Sequence, residues 1–228
     1  MEAKTGKLIA IDGPGGVGKS SVARELAARL GYYFFSSGLI YRAMAWKVLE
    51  NGWDGASEPD YATLAAFDLQ IDATGGVLVN GQAVSTDLHA EAISTAASAI
   101  STRQAIRDQA NQVQKQTVNR IRSGGLFPGV ILEGRDIGTV VFPDADHKFF
   151  LTADESIRAE RRYLEKKDHQ QGLTREAVLA SLKERDRRDE EREPAPMKPA
   201  EDARIIDTSD LTMDQVLEVI LDEMEKNR

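Results

Sequence analysis

The chain has 228 residues with 29 basic and 37 acidic side chains, a formal charge of −8, and 41% apolar residues, enough to bury a core as one large domain or one domain with inserts. Its acidic total excludes broad nucleic-acid binding, which relies on a basic field, so any anion site has to be local. With no cysteine and three scattered histidines (His89, His147, His169), disulfides, thiolate metal sites and cysteine nucleophiles are excluded as well.

In chain order, residues 7–12 (KLIAID) read as a short buried strand that runs straight into a glycine-rich turn. Over residues 19–30, Val22, Leu26, Ala27 and Leu30 share one helical face, and Gly31 closes the helix. Residues 32–35 predict a second strand, and Ser37 is placed to cap a helix running to about Leu49. This strand–helix–strand–helix rhythm points to a parallel sheet with crossover helices.

The rhythm breaks after Asn51. Past Glu58-Pro59, residues 77–79 and 83–84 flank Asn80-Gly81, a two-residue hairpin signal, so a small β insert is expected. Residues 91–123 are helical in pattern, but Ser101 with Gln104 spells a capping box and predicts a fresh start there, with Gly124-Gly125 and Pro128 ending the stretch. Residues 130–132 and 148–151 read as further buried strands. From Asp154 a charged helical region follows, interrupted near Gln171-Gly172, charged at every position from Lys183 to Glu193, and stopped by Pro194, Pro196 and Pro199. Residues 203–207 predict a last strand and 212–225 a terminal helix. There is no internal repeat and no low-complexity linker. The apolar runs fall short of the ~18 residues a membrane span needs, and residues 8–11 are too brief for a signal-peptide core.

The most specific motif is Gly13-Pro14-Gly15-Gly16-Val17-Gly18-Lys19-Ser20, which matches G-x-x-x-x-G-K-[ST] after a predicted strand and at the opening of a helix. Glycines let backbone N–H groups turn inward around phosphate oxygens, and the helix adds its positive N-terminal end. Lys19 is expected to reach the β- and γ-phosphates of ATP and the Ser20 hydroxyl to ligate Mg²⁺, with Ser21 completing the ATP-binding segment. Gly13, Gly15 and Gly18 also satisfy G-x-G-x-x-G, but a dinucleotide site wants an acid about 20 residues on, and residues 26–49 contain none. The guanine-reading Asn-Lys-x-Asp is absent too.

Two further segments decide among phosphate-loop proteins. Residues 35–42 (Phe-Ser-Ser-Gly-Leu-Ile-Tyr-Arg) and 132–145 (Leu-Glu-Gly-Arg-Asp-Ile-Gly-Thr-Val-Val-Phe-Pro-Asp-Ala), with the phosphate loop and the charged stretch 185–192, resemble the bacterial cytidylate (CMP) kinase family, in the family's order and over essentially the whole chain. The resemblance implies that Arg42 and Ser37 meet the CMP phosphate, that Arg135 contacts the same phosphate, and that Asp136 fixes the cytosine amino group. Ser98 and Arg107 match the remaining base-recognition positions, which converge only if the helix breaks between them. Arg185, Asp189 and Arg192, spaced i, i+4, i+7, share a face. The first two are given the ribose and the third the phosphates, while the rest of that run reads as a solvated face. Arg158, Arg161 and Arg162 open a short lid, with Arg158 and Arg162 on one face and able to close on the ATP phosphates. Members of the family often carry Asp where this chain has Ser36, which touches the acceptor site.

The expected fold is therefore α/β: a P-loop nucleoside monophosphate kinase fold, a parallel sheet flanked by helices. Its single domain has a core at about 7–53, 91–153 and 174–228, a β-containing acceptor insert at about 54–90 and a lid at about 154–173. The expected reaction is transfer of the γ-phosphoryl group from Mg²⁺–ATP to CMP or dCMP, stabilised by Lys19, Arg42, Arg135, Arg162 and Arg192. The resemblance implies a monomer, and the absence of cysteine agrees with a cytoplasmic location; neither nucleic acid nor membrane is an expected partner. A kinase for UMP or another small acceptor stays open, with Asp136 favouring a ring that bears an amino donor. A P-loop ATPase regulator also stays open, but leaves the arginines at 42, 135 and 192 without a purpose.

Overall fold

The structure, a computed structural model, describes residues 6–54, 57, 68–72, 74–84, 87–168 and 172–226. Of the sequence readings, Glu58-Pro59 in the insert and His169 and Gln171 in the lid lie outside the described residues. The elements are β1 (Lys7–Asp12), α1 (Lys19–Leu30), β2 (Tyr33–Ser36), α2 (Ser37–Glu50), β3 (Leu69–Ile71), β4 (Val77–Val79), β5 (Gln82–Ala83), α3 (Glu91–Ile100), α4 (Gln104–Gly124), β6 (Gly129–Glu133), a π-helical turn (Ile137–Val141), β7 (His147–Thr152), α5 (Glu155–Lys166), α6 (Arg175–Glu191), β8 (Arg204–Asp207) and α7 (Met213–Lys226).

Five strands form one parallel sheet in the order β2-β6-β1-β7-β8. Side chains alternate across a strand, so β1 feeds two cores. Leu8 and Ala10 pack with Phe35, Leu132 and Ile106 on one side, and Ile9 and Ile11 with Leu26, Phe149 and Leu217 on the other. Covered on both faces, β1 and β6 read as almost unbroken apolar runs. The phosphate loop leaves the carboxyl end of β1 and the Glu133–Asp136 segment leaves that of β6. These strands are neighbours, so both loops open side by side at the edge where open α/β sheets hold ligands.

Asp12, the last residue of β1, ties these loops together. Its carboxylate oxygens accept the N–H groups of Ile137 and Gly138 at 2.9 and 2.8 Å and so anchor the π-helical turn. Burial pushes its pKa up to about 6, against the pull of those two donors. A carboxyl whose folded-state pKa lies above its unfolded value contributes stability that is complete below about pH 4 and is lost as pH rises through 6. The gap corresponds to roughly 3 kcal/mol. Asp12→Asn cannot titrate and leaves one N–H without an acceptor. The stability difference between wild type and Asp12→Asn is therefore expected to shrink between pH 4 and 7, as read by urea unfolding at each pH; a constant difference would contradict the raised pKa.

The insert carries the expected hairpin. β4 and β5 pair antiparallel across Asn80-Gly81, whose φ values of 52° and 76° are both positive, as a type I′ turn demands. A third strand, β3, was not foreseen. It pairs with β4, and the Ile71 and Asp72 carbonyls beside it accept hydrogen bonds from Arg120 and the Tyr33 hydroxyl of the core.

Three local expectations are corrected. β2 begins at Tyr33, because the Tyr32 N–H is taken by the Ala27 carbonyl in closing α1. Ser37 lies inside α2 and caps nothing; its hydroxyl donates to the Glu133 carbonyl at 2.9 Å. The helix break near Ser101 is present, but not as a capping box: Ser101 Oγ turns back to the Ser98 carbonyl at 2.9 Å, Gln104 donates to Asp108, and Arg103 stands at the N-cap of α4.

Candidate active site

The carboxyl ends of β1, β2 and β6 open into a cleft of ≈ 330 Å³, walled by the phosphate loop, the start of α2, α3 and α6, with Arg162 of α5 above it. On the β1 side, Lys19 is buried, and its ammonium donates to the Pro14 carbonyl at 2.6 Å. Burial, reinforced by Arg135, brings Lys19 down to about 7, against the opposing pull of Glu133.

Glu133, at the end of β6, faces it. Its Oε1 accepts from the Ser20 hydroxyl at 3.1 Å and from the Ser36 hydroxyl, so one carboxylate joins the phosphate loop to β2. Burial opposes its charge, but Lys19, the Ser36 hydroxyl and Arg135 together hold its carboxyl below the ordinary value. The sequence reading passed over Glu133 although it stands beside Arg135 and Asp136; a carboxylate ending a buried strand next to a phosphate loop was the available signal.

Arginines crowd the remaining walls. Arg42 comes from α2 and Arg185 from α6; the Nε of each is buried without a hydrogen-bond partner among the described residues, and both line the cleft. Burial, then Arg135, draws Arg185 down to about 10, and burial likewise lowers Arg42; both stay cationic at neutral pH. Arg135 Nε donates to Asp189 at 2.9 Å, and Asp189 also faces Arg192 at 3.6 Å and Arg185 at 3.9 Å. Arg162, bonded among the described residues to Glu165 on its own helix, completes the cluster.

At the α4 side a second buried network is centred on Asp136. Arg107 pairs with one of its oxygens and Arg192 with the other at 3.1 Å; Arg107 also donates to the Ser101 carbonyl at 3.3 Å and Arg192 to the Ala195 carbonyl at 2.6 Å. The break between α3 and α4 lets Arg107 stand behind Asp136 while Ser98 reaches the cleft, its hydroxyl buried and without a hydrogen-bond partner among the described residues. The clustered guanidinium groups suit the cleft to a ligand carrying several negative charges.

The comparisons with known proteins agree with that chemistry. The family model described as cytidylate kinase matches residues 9–226. The cytidylate kinase of Geobacter sp. (strain M21) is 43% identical over 224 residues, spanning 95% of this chain and 92% of the relative. The chain belongs to the cytidylate kinase family. The cytidylate kinase of Pseudomonas aeruginosa (strain LESB58) is 38% identical over 225 residues, spanning 96% and 95% of the two chains, and that of Cupriavidus necator 41% over 218 residues, spanning 94% of each. Among solved structures, an uncharacterized protein from Eubacterium ventriosum superposes with a TM-score of 0.52 at 13% identity, covering 96% of this chain and 98% of its own, which shows a shared fold.

Within this cytidylate kinase framework, most predicted site residues meet at one cleft. Gly15, Gly16, Gly18, Lys19, Ser20 and Ser21 line its donor side, and Ser36, Ser37, Arg42, Ser98, Arg135, Asp136, Arg185, Asp189 and Arg192 its other walls. Gly13, Pro14 and Val17 build the phosphate loop from behind, and Arg107 stands behind the cleft, bonded to Asp136 and the Ser101 carbonyl. The lid arginines part company. Arg162 lines the cleft; Arg161 donates to the Thr208 hydroxyl and carbonyl at 3.1 and 2.6 Å and braces the turn after β8; Arg158 is buried against Gly15, Ala153 and Asp186.

The Ser36 hydroxyl donates to Glu133. A second carboxylate there would meet the first in a nearly dry site, so this chain uses one carboxylate and a hydroxyl.

Proposed function

We propose that the protein transfers the γ-phosphoryl group of ATP to CMP or dCMP, giving ADP and CDP or dCDP. The observation that carries this reading is a phosphate loop and an arginine-lined cleft sharing one wall, with Asp136 at the far end as an acceptor for a ring amino group. Family membership supports the same acceptor.

In this reading the phosphate loop and Lys19 hold the β- and γ-phosphates, and Arg42 and Arg135 hold the acceptor phosphate in line. Arg162 and Arg192 flank the group in transit; Arg185 and Asp189 meet the ribose, and Ser98, Arg107 and Asp136 the base. One acceptor oxygen forms a bond to the γ-phosphorus as the bond from that phosphorus to the β–γ bridging oxygen breaks; the displaced electron pair leaves with ADP. The acceptor phosphate has a second pKa of about 6, so a general base is unnecessary. The charge spread over the transferring oxygens is met by groups already in place. Arg162 is the lid arginine placed to act, since Arg158 and Arg161 already have backbone partners.

Magnesium fits the donor set through the nucleotide. Among the described residues no group of three or more His, Cys, Asp or Glu side chains could hold a metal alone. The Ser20 hydroxyl and Glu133 carboxylate, 3.1 Å apart, are the hard oxygens that would hold a nucleotide-borne Mg²⁺ directly or through water. That ion would neutralise charge on the β- and γ-phosphates. We take the enzyme to work as a cytoplasmic monomer without nucleic acid, in line with its acidic charge. No described helix is long and apolar enough to cross a membrane.

The test is ADP formation from Mg²⁺–ATP with CMP, dCMP, UMP, dTMP, AMP or no acceptor. Strong stimulation by CMP and dCMP alone is the expected result. Stimulation chiefly by UMP would keep the kinase and discard the cytosine assignment; ATP loss indifferent to every acceptor would make the protein an ATPase.

A further inference from the structure

Gly15, in the phosphate loop, is held at both of its backbone groups by a buried ion pair outside the cleft. Asp186 Oδ1 accepts its N–H at 3.2 Å, Arg158 Nη1 donates to its carbonyl at 3.1 Å, and the two side chains bond to each other. Arg158 Nε spends its hydrogen on the Ala153 carbonyl at 3.1 Å. The side chains are 7% and 10% exposed. The backbone of α5 also lies directly on the loop: a Cβ at Gly16, where φ is +79°, would stand 3.0 Å from the Arg158 carbonyl.

Arg158 comes from the first turn of α5 and Asp186 from α6, so the ring joins the donor loop to the helices on both sides of the 167–174 connection. Neither residue lines the nucleotide cleft. Stability alone does not explain a charged pair here, because a buried ion pair commonly gains nothing over apolar groups of the same size. What apolar groups cannot supply is an acceptor for the N–H and a donor for the carbonyl of the same residue.

We propose that Arg158 and Asp186 are positioning residues for ATP. They fix the orientation of the Gly15 backbone, and with it the direction in which the following N–H groups of the loop point. Through α5 they also set the height of Arg162, one helical turn beyond Arg158, above the cleft. The proposal rests on the phosphate loop binding ATP.

The experiment measures ATP binding to the full chain by calorimetry, KM for ATP and for CMP, and thermal melting, for wild type, Asp186→Asn, Asp186→Ala, Arg158→Met and Arg158→Lys. Asn keeps an acceptor for Gly15 but turns an amide against Arg158, while Lys keeps one charged donor. Asp186→Asn and Arg158→Met are expected to weaken ATP binding and raise its KM about tenfold, with KM for CMP within twofold of wild type and Arg158→Lys recovering part of the loss. If Asp186→Ala fails to fold, the other three variants still decide. ATP affinity within twofold of wild type in cooperatively melting Asp186→Asn and Arg158→Met overturns the proposal, as does an equal rise in both KM values. A wild type that does not bind ATP fails the functional reading itself, and that result is distinct from variants that match a binding-competent wild type.

Discussion

Lys19→Met is expected to lower turnover by on the order of 10³-fold while leaving the protein folded. Lys19 is 5% exposed and lies between the Pro14 carbonyl and the Glu133 carboxylate, so its burial is already costly, and burial draws its pKa down to about 7. Methionine fills nearly the same volume and removes that cost. Glu133 loses its strongest cation but keeps the Ser20 and Ser36 hydroxyls and Arg135, so the carboxylate is not stranded. The kinetic loss has no such replacement. In the transition state the ammonium would meet charge on the β- and γ-phosphate oxygens in a site shielded from water, where a fixed cation acts most strongly. CDP formation and a thermal melt on the same preparation check this; turnover within tenfold of wild type would remove Lys19 from the chemistry.

How far the sequence could be read follows from where each residue's partners lie. The phosphate loop was legible because its chemistry is local: glycines, Lys19 and Ser20 act within eight consecutive positions. The strands of the parallel sheet were legible as apolar runs bounded by turn residues, whereas β3, only Leu69–Ile71, is too short for its pattern to stand out. The capping box at Ser101 and Gln104 had the right letters, but each side chain found a nearer partner within its own turn, as serine and glutamine readily do. The lid arginines were the hardest to sort. Spacing put Arg158 and Arg162 on one face, yet Arg158 is claimed by Gly15 and Asp186, 143 and 28 residues away, which no local pattern reveals. Glu133 was missed for the same reason: its meaning comes from Ser20 and Ser36, brought in by two other elements. Arg107 is a mixed case. The predicted break in the helical run is present, but where it was expected to let Arg107 converge with Ser98 on one base, Arg107 stands behind Asp136 and only Ser98 of the two lines the cleft.

Asp136→Asn is expected to change both stability and acceptor choice, through two separable effects. Each Asp136 oxygen already accepts from a buried guanidinium, Arg107 on one side and Arg192 on the other. Asparagine removes the negative charge and turns an NH₂ toward one of them, leaving Arg107, 1% exposed, without its counter-ion and Arg192 with Asp189 alone at 3.6 Å. Breaking one side of a buried pair costs about 3–5 kcal/mol, which for a chain of this length lowers the melting temperature by roughly 10 °C. Selectivity moves for a different reason. A carboxylate has about four acceptor positions, and the two arginines leave it room to accept from a ring amino group. The amide that replaces it also offers a donor, which suits the O4 of uracil. kcat/KM with CMP is expected to fall by about 10²-fold, and with UMP by much less, so that the ratio of the two drops. Both rates falling by the same factor would show that Asp136 acts only by holding Arg107 and Arg192. A ratio that collapses while the melting temperature falls places the base-reading contact on the carboxylate itself.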